Sequence, residues 1–395
     1  MKRISALFLT VVIFLSVLTA CSENKNDYII NSNDTITIGT INVSEEVMSG
    51  VNYAAELAHT VNIYKPYELE VVSYNADTEE DINQAVSDLI SKNVAAIICE
   101  GKNKETTDFI INATSDNNSV PLMFVDCFSD AVYKTDNAFS ISIPYSYQAS
   151  AVASHLISEG KTKGAVVCFD DNDYYKNFAD IFQKTFSSGT NSVATYYYSG
   201  EEANFNANTI ASAAYEFVFI IGNTEDKIKI QTDLISAGVT SSYIFSEVAD
   251  KNSLEYSEYN DIVFLSKFES DDNNYIGTDF INTYAKYNNV SVSDVTANIA
   301  YGYDVYMTIY DSLVSMNKNQ SSIFQTTEAT ENNESTDILT SDVKNAIKDI
   351  SHMGVTDVIK FSENGLTTPS FVYTDRIENA HAGMLSRYNY NNEQN

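Results

Sequence analysis

The groups best suited to metal binding or nucleophilic attack are four histidines, His59, His155, His352 and His381, and four cysteines, Cys21, Cys99, Cys127 and Cys168. The histidines are scattered without metal-ligand spacing, and none neighbours a candidate nucleophile in the sequence. GxSxG, Walker and GxGxxG runs are absent, so no local motif activates a serine or cradles a phosphate. Carboxylates are abundant, with 54 Asp and Glu against 23 Lys and Arg, and at that density acid and base pairs arise by chance. The expectation is a protein that is not an enzyme and uses neither cofactor nor metal. Recognition chemistry is better represented. The chain has 27 tyrosines and no tryptophan, and a tyrosine offers a stacking face with a polar tip, suited to a flat or cationic molecule. Tyr133, Tyr145, Tyr147, Tyr174, Tyr175 and Tyr301 lie near predicted loop or helix starts. The alternative is that tyrosine simply replaces Trp and Phe in cores and on surfaces.

Cys21 belongs to a separate pattern. Lys2 and Arg3 precede an apolar run over 4–17, too short to span a bilayer comfortably but of the length of a signal-peptide core. The run ends in Leu18-Thr19-Ala20-Cys21, which resembles the bacterial lipobox, in which the cysteine thiol receives lipid. Residues 1–20 are therefore expected to be removed, with the lipid bilayer as a partner through Cys21 and the protein held on the extracytoplasmic face of the cell membrane. Residues 21–34, polar and rich in Asn and Asp, read as a flexible tether.

Loss of the leader takes the net charge from −31 to about −33, which repels phosphate backbones and excludes nucleic acid as a partner. The remaining length exceeds what one hydrophobic core usually accommodates, so two lobes are expected. Cys99 and Cys168 sit within apolar, strand-like runs and read as small buried hydrophobes.

Positioning of the candidate residues falls to alternating strands and helices. Short apolar runs at 36–41, 69–73, 95–99, 122–125, 165–169, 217–221, 243–245 and 262–265 read as buried parallel strands. Between them, Ile82, Ala85, Val86, Leu89 and Ile90 fall at helical spacing, as do Val152, His155 and Leu156, and Ile228, Ile230, Leu234 and Ile235. This alternation gives an α/β fold of βαβ units, whose ligands lie beyond the carboxyl ends of the strands. Residues 317–341 break the pattern and read as a disordered insertion.

The order of segments resembles the leucine/isoleucine/valine-binding proteins, receptors of bacterial ABC importers with the type I periplasmic-binding-protein fold. The resemblance runs over about 35–373. It rests on Gly50-Val51-Asn52-Tyr53-Ala54-Ala55, Val94-Ala95-Ala96-Ile97-Ile98, Val120-Pro121-Leu122, Pro144-Tyr145-Ser146-Tyr147-Gln148 and Asp171-Asn172-Asp173-Tyr174-Tyr175. Ala300-Tyr301-Gly302-Tyr303-Asp304-Val305 and Phe361-Ser362-Glu363-Asn364-Gly365 complete it. The resemblance implies two Rossmann-like lobes with parallel sheets, joined by three crossings near Ile143, Lys267 and Gly354, with the ligand cleft between them. Lobe 1 would comprise 35–143 plus 268–353, lobe 2 would comprise 144–267 plus 354–380, and 381–395 would be a polar tail. An ABC permease is the implied membrane partner, recognising the form that closes over a small-molecule ligand.

Carried over residue by residue, the resemblance makes Glu247, after the strand at 243–245, the partner of a ligand's ammonium. Tyr174 or Tyr175 would cover the ligand, and Asn223 joins the set after the strand at 217–221. The first-lobe loops depart from the family. Their expected hydroxyl positions fall nearest Glu105 and Phe128, and Lys102, Asn103, Thr106 or Ser129 would substitute on a slip of register. Asp126 stands in the same loops. A glutamate there repels a carboxylate, so an amino acid, a polyamine, a nucleoside and a sugar all stay open as ligands, as does sensing in place of import.

Overall fold

The computed structural model describes residues 27–30, 35–61, 68–101, 103–127, 129–170, 173–198, 207–246, 262–266, 268–269, 274–320, 338–378 and 381–389. The chain opens with β1 (Thr35–Ile41), α1 (Glu45–Val61), β2 (Glu68–Tyr74), α2 (Glu79–Ser91), β3 (Ala96–Glu100), α3 (Lys104–Ala113), β4 (Leu122–Asp126) and β5 (Ala138–Ser140). These strands form a fully parallel sheet of order β2-β1-β3-β4-β5. Helices cover both of its faces, which is why its strands read as continuous apolar runs. Ala96 and Ile98 point into one core while Ile97 and Cys99 point into the other, the two-residue period of a strand.

After α4 (Tyr145–Ser158) the second lobe repeats the plan with β6 (Lys163–Phe169), α5 (Asp173–Phe186), β7 (Ser192–Tyr198), α6 (Ala207–Ala213), β8 (Phe217–Ile221), α7 (Thr224–Ser236), β9 (Ser242–Phe245) and β10 (Ile262–Ser266). Its parallel strands run in the order β7-β6-β8-β9-β10, the same 2-1-3-4-5 permutation as the first sheet. The chain then returns to the first lobe with α8 (Tyr275–Asn288), α9 (Ala297–Gln320), α10 (Thr340–Asp349) and the hairpin β11 (Ser351–Met353) and β12 (Val358–Lys360). It ends in the second lobe with β13 (Phe371–Glu378) and β14 (His381–Asn389), both antiparallel additions.

The amphipathic readings are matched where the helices pack. Ile82, Ala85, Val86 and Leu89 are buried on α2, and Val152 and Leu156 on α4. On α7, Ile230 and Leu234 are buried but Ile235 is half exposed, and Lys227 and Gln231 take the interior instead. Cys99, Cys127 and Cys168 are buried and form no disulfide with one another. Two glycines in the resemblance motifs have a structural use: a Cβ on Gly50 would lie 2.0 Å from the Ile299 carbonyl oxygen, and one on Gly302 would lie 2.1 Å from that of Val47. They let α1 and α9 touch backbone to backbone.

Four expectations are corrected. Residues 381–389 of the supposed polar tail form β14, which pairs along β13 and covers an otherwise open sheet edge. The tether is docked at 27–30: Ile30 is buried, its N–H donates to the Ile338 carbonyl at 2.9 Å, and Tyr28 Oη donates to the Val94 carbonyl at 2.8 Å. Asp27 accepts from the Ser341 N–H at 3.0 Å and from Thr340 Oγ1 at 2.6 Å, satisfying donors of the first turn of α10 from outside the helix. The ends of the insertion are ordered too, because 317–320 complete α9 while Ile338 and Thr340 are buried. The third crossing begins after Phe361, not near Gly354, since Val355, Ile359 and Phe361 pack in the first-lobe core. Cys21 and residues 321–337 and 390–395 lie outside the described residues.

Candidate functional site

On the first lobe, the carboxyl ends of β1, β3 and β4 carry Asn42, Glu100 and Asp126. Most polar groups of this wall bind their own neighbours. Glu100 accepts from the Ser44 N–H at 2.6 Å. Asn103 caps α3, its Oδ1 accepting from the Thr106 N–H at 2.9 Å, and Ser129 Oγ donates to Asp108 at 2.5 Å. Asp126 accepts from the N–H of Cys127 at 3.1 Å. Glu105 stays exposed in the first turn of α3. Asn42, in a left-handed conformation with φ 57°, uses Oδ1 to accept from the Ala76 N–H at 2.8 Å.

The second-lobe wall is built by the N-termini of α4, α5 and α7. Pro144 opens α4 and sets Tyr145 at its first position. Tyr174 and Tyr175 stand in the first turn of α5 and are buried. Tyr175 packs against Phe169 with ring centroids 6.5 Å apart and belongs to the lobe's core, as does Tyr174, whose ring also meets Tyr145. Asn223 is the exposed cap of α7, accepting from the Asp226 N–H at 2.9 Å. Beneath the end of β9, the Lys227 ammonium, 1% exposed, donates to the Ser246 carbonyl at 3.2 Å. Glu247, the next residue, and Phe128 lie outside the described residues.

The lobes meet through side chains. Asp130 of the first lobe accepts from Tyr145 Oη at 3.3 Å and from Asn177 Nδ2 at 2.5 Å, both from the second. The Tyr133 and Tyr145 rings lie 5.8 Å apart across this boundary, and Tyr145 stands edge-on to Tyr174 at 4.9 Å and 89°. Burial, followed by the neighbouring Tyr133, Cys127 and Asp126, raises the Tyr174 hydroxyl well above its ordinary pKa. Burial and Asp130 do the same to Tyr145. Both phenols therefore stay protonated at neutral pH, and Tyr145 donates to Asp130.

Of the residues expected to hold a ligand, Tyr174 and Asp126 come together, while Asn103 and Thr106 are committed to the α3 cap and Asn223 to the α7 cap. Asp130, Asn177 and Lys227 were not in the sequence-based set. Asp130 follows a strand by four residues, a signal that was present. Asn177 and Lys227 are second-turn helix positions that only the facing lobe or the β9 loop makes relevant.

The crossings are bonded to each other. The Ser140 N–H donates to the Gly365 carbonyl at 2.9 Å, and Thr367 Oγ1 donates to the Ser142 carbonyl at 3.0 Å. Asp304, fully buried on α9, accepts from the Val355 and Thr356 N–H groups at 2.7 and 2.9 Å and so holds the turn before β12.

No protein-family model and no curated protein sequence matches this chain. Solved structures do. A leucine-binding protein from Thermotoga maritima shares 17% identity at a TM-score of 0.72, over 90% of this chain and 99% of that one. The branched-chain amino-acid transporter substrate-binding protein of Streptococcus pneumoniae, in complex with isoleucine, shares 16% at 0.70 over 90% and 99%. An ABC-transporter solute-binding protein of R. palustris, in complex with benzoate, shares 12% at 0.67 over 90% and 96%. At these identities the likeness establishes the fold: the chain has the two-lobed type I periplasmic-binding-protein architecture.

Proposed function

We propose that this chain is the substrate-binding lipoprotein of an ABC importer, which captures a small amine-bearing ligand by closure of the two lobes. The observation that carries the reading is the meeting of Asp130 with Tyr145 and Asn177 across the cleft. Two sheets of the same strand order turn their loops toward each other, and linked crossings let the lobes rotate as bodies, the geometry of hinge closure. Nothing in that cycle requires a covalent step. A ligand that binds the closed form shifts the population toward it and presents a permease with a shape that the open form lacks. Anchoring through the Cys21 lipid keeps the loaded protein beside its permease, and Glu247 is the proposed partner of the ligand's ammonium.

A thermal-shift screen of the mature protein against amino acids, amines, nucleosides and sugars tests the reading. A ligand at 100 times its Kd adds about 2.7 kcal/mol of stability. A hit should also compact the molecule in solution scattering. Stabilisation by no member of the panel, with no compaction, would overturn the reading.

A further inference from the structure

We propose that the docked segment 27–30 holds one pole of the first lobe, the edge at the amino ends of its strands, within about 20 Å of the bilayer and so keeps the cleft face from turning onto the lipid. The inference rests on the Cys21 anchor in the reading above and is independent of which ligand the cleft takes.

The dock lies at the amino ends of β3, β4 and β5. Tyr28 Oη donates at 2.8 Å to the carbonyl of Val94, two residues before β3, and the Tyr28 carbonyl accepts from the Thr340 N–H at 3.1 Å. Ile29 and Leu339 form an antiparallel bridge, and the Ile30 N–H donates to the Ile338 carbonyl at 2.9 Å. The helix that receives the segment, α10, is fixed to the same edge. Its Lys344 Nζ donates at 2.7 Å to Asp136, two residues before β5, and at 3.4 Å to the Asn118 carbonyl ahead of β4. Ile30 is 1% exposed, so the segment is seated in the lobe.

Chain length decides the orientation. Cys21 stands six residues before Asp27 and fourteen before Thr35, where β1 begins. At full extension six residues reach about 20 Å and fourteen about 50 Å. The lobe is thicker than the shorter leash. Because β1 and β2 are parallel, α1 must run from the carboxyl edge of the sheet back to the amino edge, and its 17 residues make it about 25 Å long. Turning the strand carboxyl ends, with the cleft loops they carry, onto the lipid would lift the dock at least that far from the surface. The docked leash does not reach, whereas the released one does. Residues 27–30 thus act as a stop on how far the cleft can turn toward the bilayer.

Energy transfer from a fluorophore on the lipidated full-length chain to a headgroup-borne acceptor in phosphatidylcholine vesicles tests this. One label goes on Asp116→Cys, ahead of β4 at the docked pole, and another on Glu80→Cys, in the first turn of α2 at the carboxyl edge. Both positions are exposed, while Cys99, Cys127 and Cys168 are buried. Transfer should be about twofold stronger or more from Asp116→Cys, because the 13 residues of α2 alone separate the two edges by about 20 Å. Insertion of about twelve Gly and Ser residues between Asn24 and Lys25 lengthens the leash without touching the dock and should remove most of that difference. Tyr28→Ala combined with Ile30→Asp, which unseats the segment, should do the same. Equal transfer from the two labels, or stronger transfer from Glu80→Cys, overturns the inference while the anchor stands. In the unlipidated Cys21→Ser protein the Ile30 amide should be protected from hydrogen exchange, and an unprotected Ile30 overturns the docking outright. A full-length chain that mass spectrometry shows without lipid on Cys21 loses the anchor reading and this inference together, and leaves ligand capture standing.

Discussion

The two lobes share one strand order and differ in what their loops do. First-lobe loops spend their polar groups on themselves, with Glu100 on the Ser44 amide, Asn103 on the Thr106 amide and Ser129 on Asp108. Second-lobe helices send Tyr145 and Asn177 outward to the opposite lobe, where Asp130 receives them. Their edges differ as well. The first lobe takes the docked segment at 27–30 and the helices α8, α9 and α10, whereas the second lobe extends its sheet by β13 and β14. Topology thus supplies two facing walls, and side-chain economy makes one wall a rigid frame and the other a set of reaching contacts.

The largest test attacks the frame. Gly302→Leu forces side-chain volume into the Val47 backbone, which a rotamer change cannot relieve, and should destabilise the first lobe by about 3 kcal/mol or more. Denaturant unfolding should then become biphasic, with the second lobe melting near its original midpoint. One unshifted transition would deny the close contact of α1 and α9, and a single shifted one would show the lobes to be one cooperative unit.

A middle-sized effect addresses the reaching contacts. Asp130→Ala removes two interlobe hydrogen bonds, each worth about 0.5–1.5 kcal/mol, so the ligand-free protein should open while its unfolding free energy changes little. Solution scattering reads the opening directly. An unchanged scattering profile would mean that these bonds do not govern closure.

The smallest effect concerns the docked tether. Burial raises the pKa of Asp27, but hydrogen bonds from Ser341, Thr340 and Tyr28 outweigh it and hold the carboxyl below its ordinary value. A depressed folded pKa contributes stability above the unfolded value, and that contribution is lost as pH falls through the folded value. Asp27→Ala should therefore cost about 1 kcal/mol at neutral pH, the scale of a lost helix cap, and nothing in strong acid. A difference that persists at low pH would assign the effect to packing of Tyr28 and Ile30 instead of to the carboxylate.

The sequence by itself determined the fold class, most of the strands and the helical faces, because these follow from apolar periodicity within a few residues. Alternate sheet faces at Ala96 to Cys99 and the buried stripe of α2 needed no distant partner to be read. It also pointed to Asp126 and Tyr174, which sit where a strand ends and a helix begins. Only the tertiary structure decided that Gly50 and Gly302 are contact points, that Asp304 holds the turn before β12, that 381–389 closes a sheet and that 27–30 is docked. It likewise decided that Asn103 and Asn223 serve as caps while Asp130 faces Tyr145 and Asn177. Apart from the two caps and the β13–β14 hairpin, which are local, those outcomes join segments tens to hundreds of residues apart. A pairing of that length leaves no periodic trace in either segment, because the partner that satisfies each group is supplied by the fold.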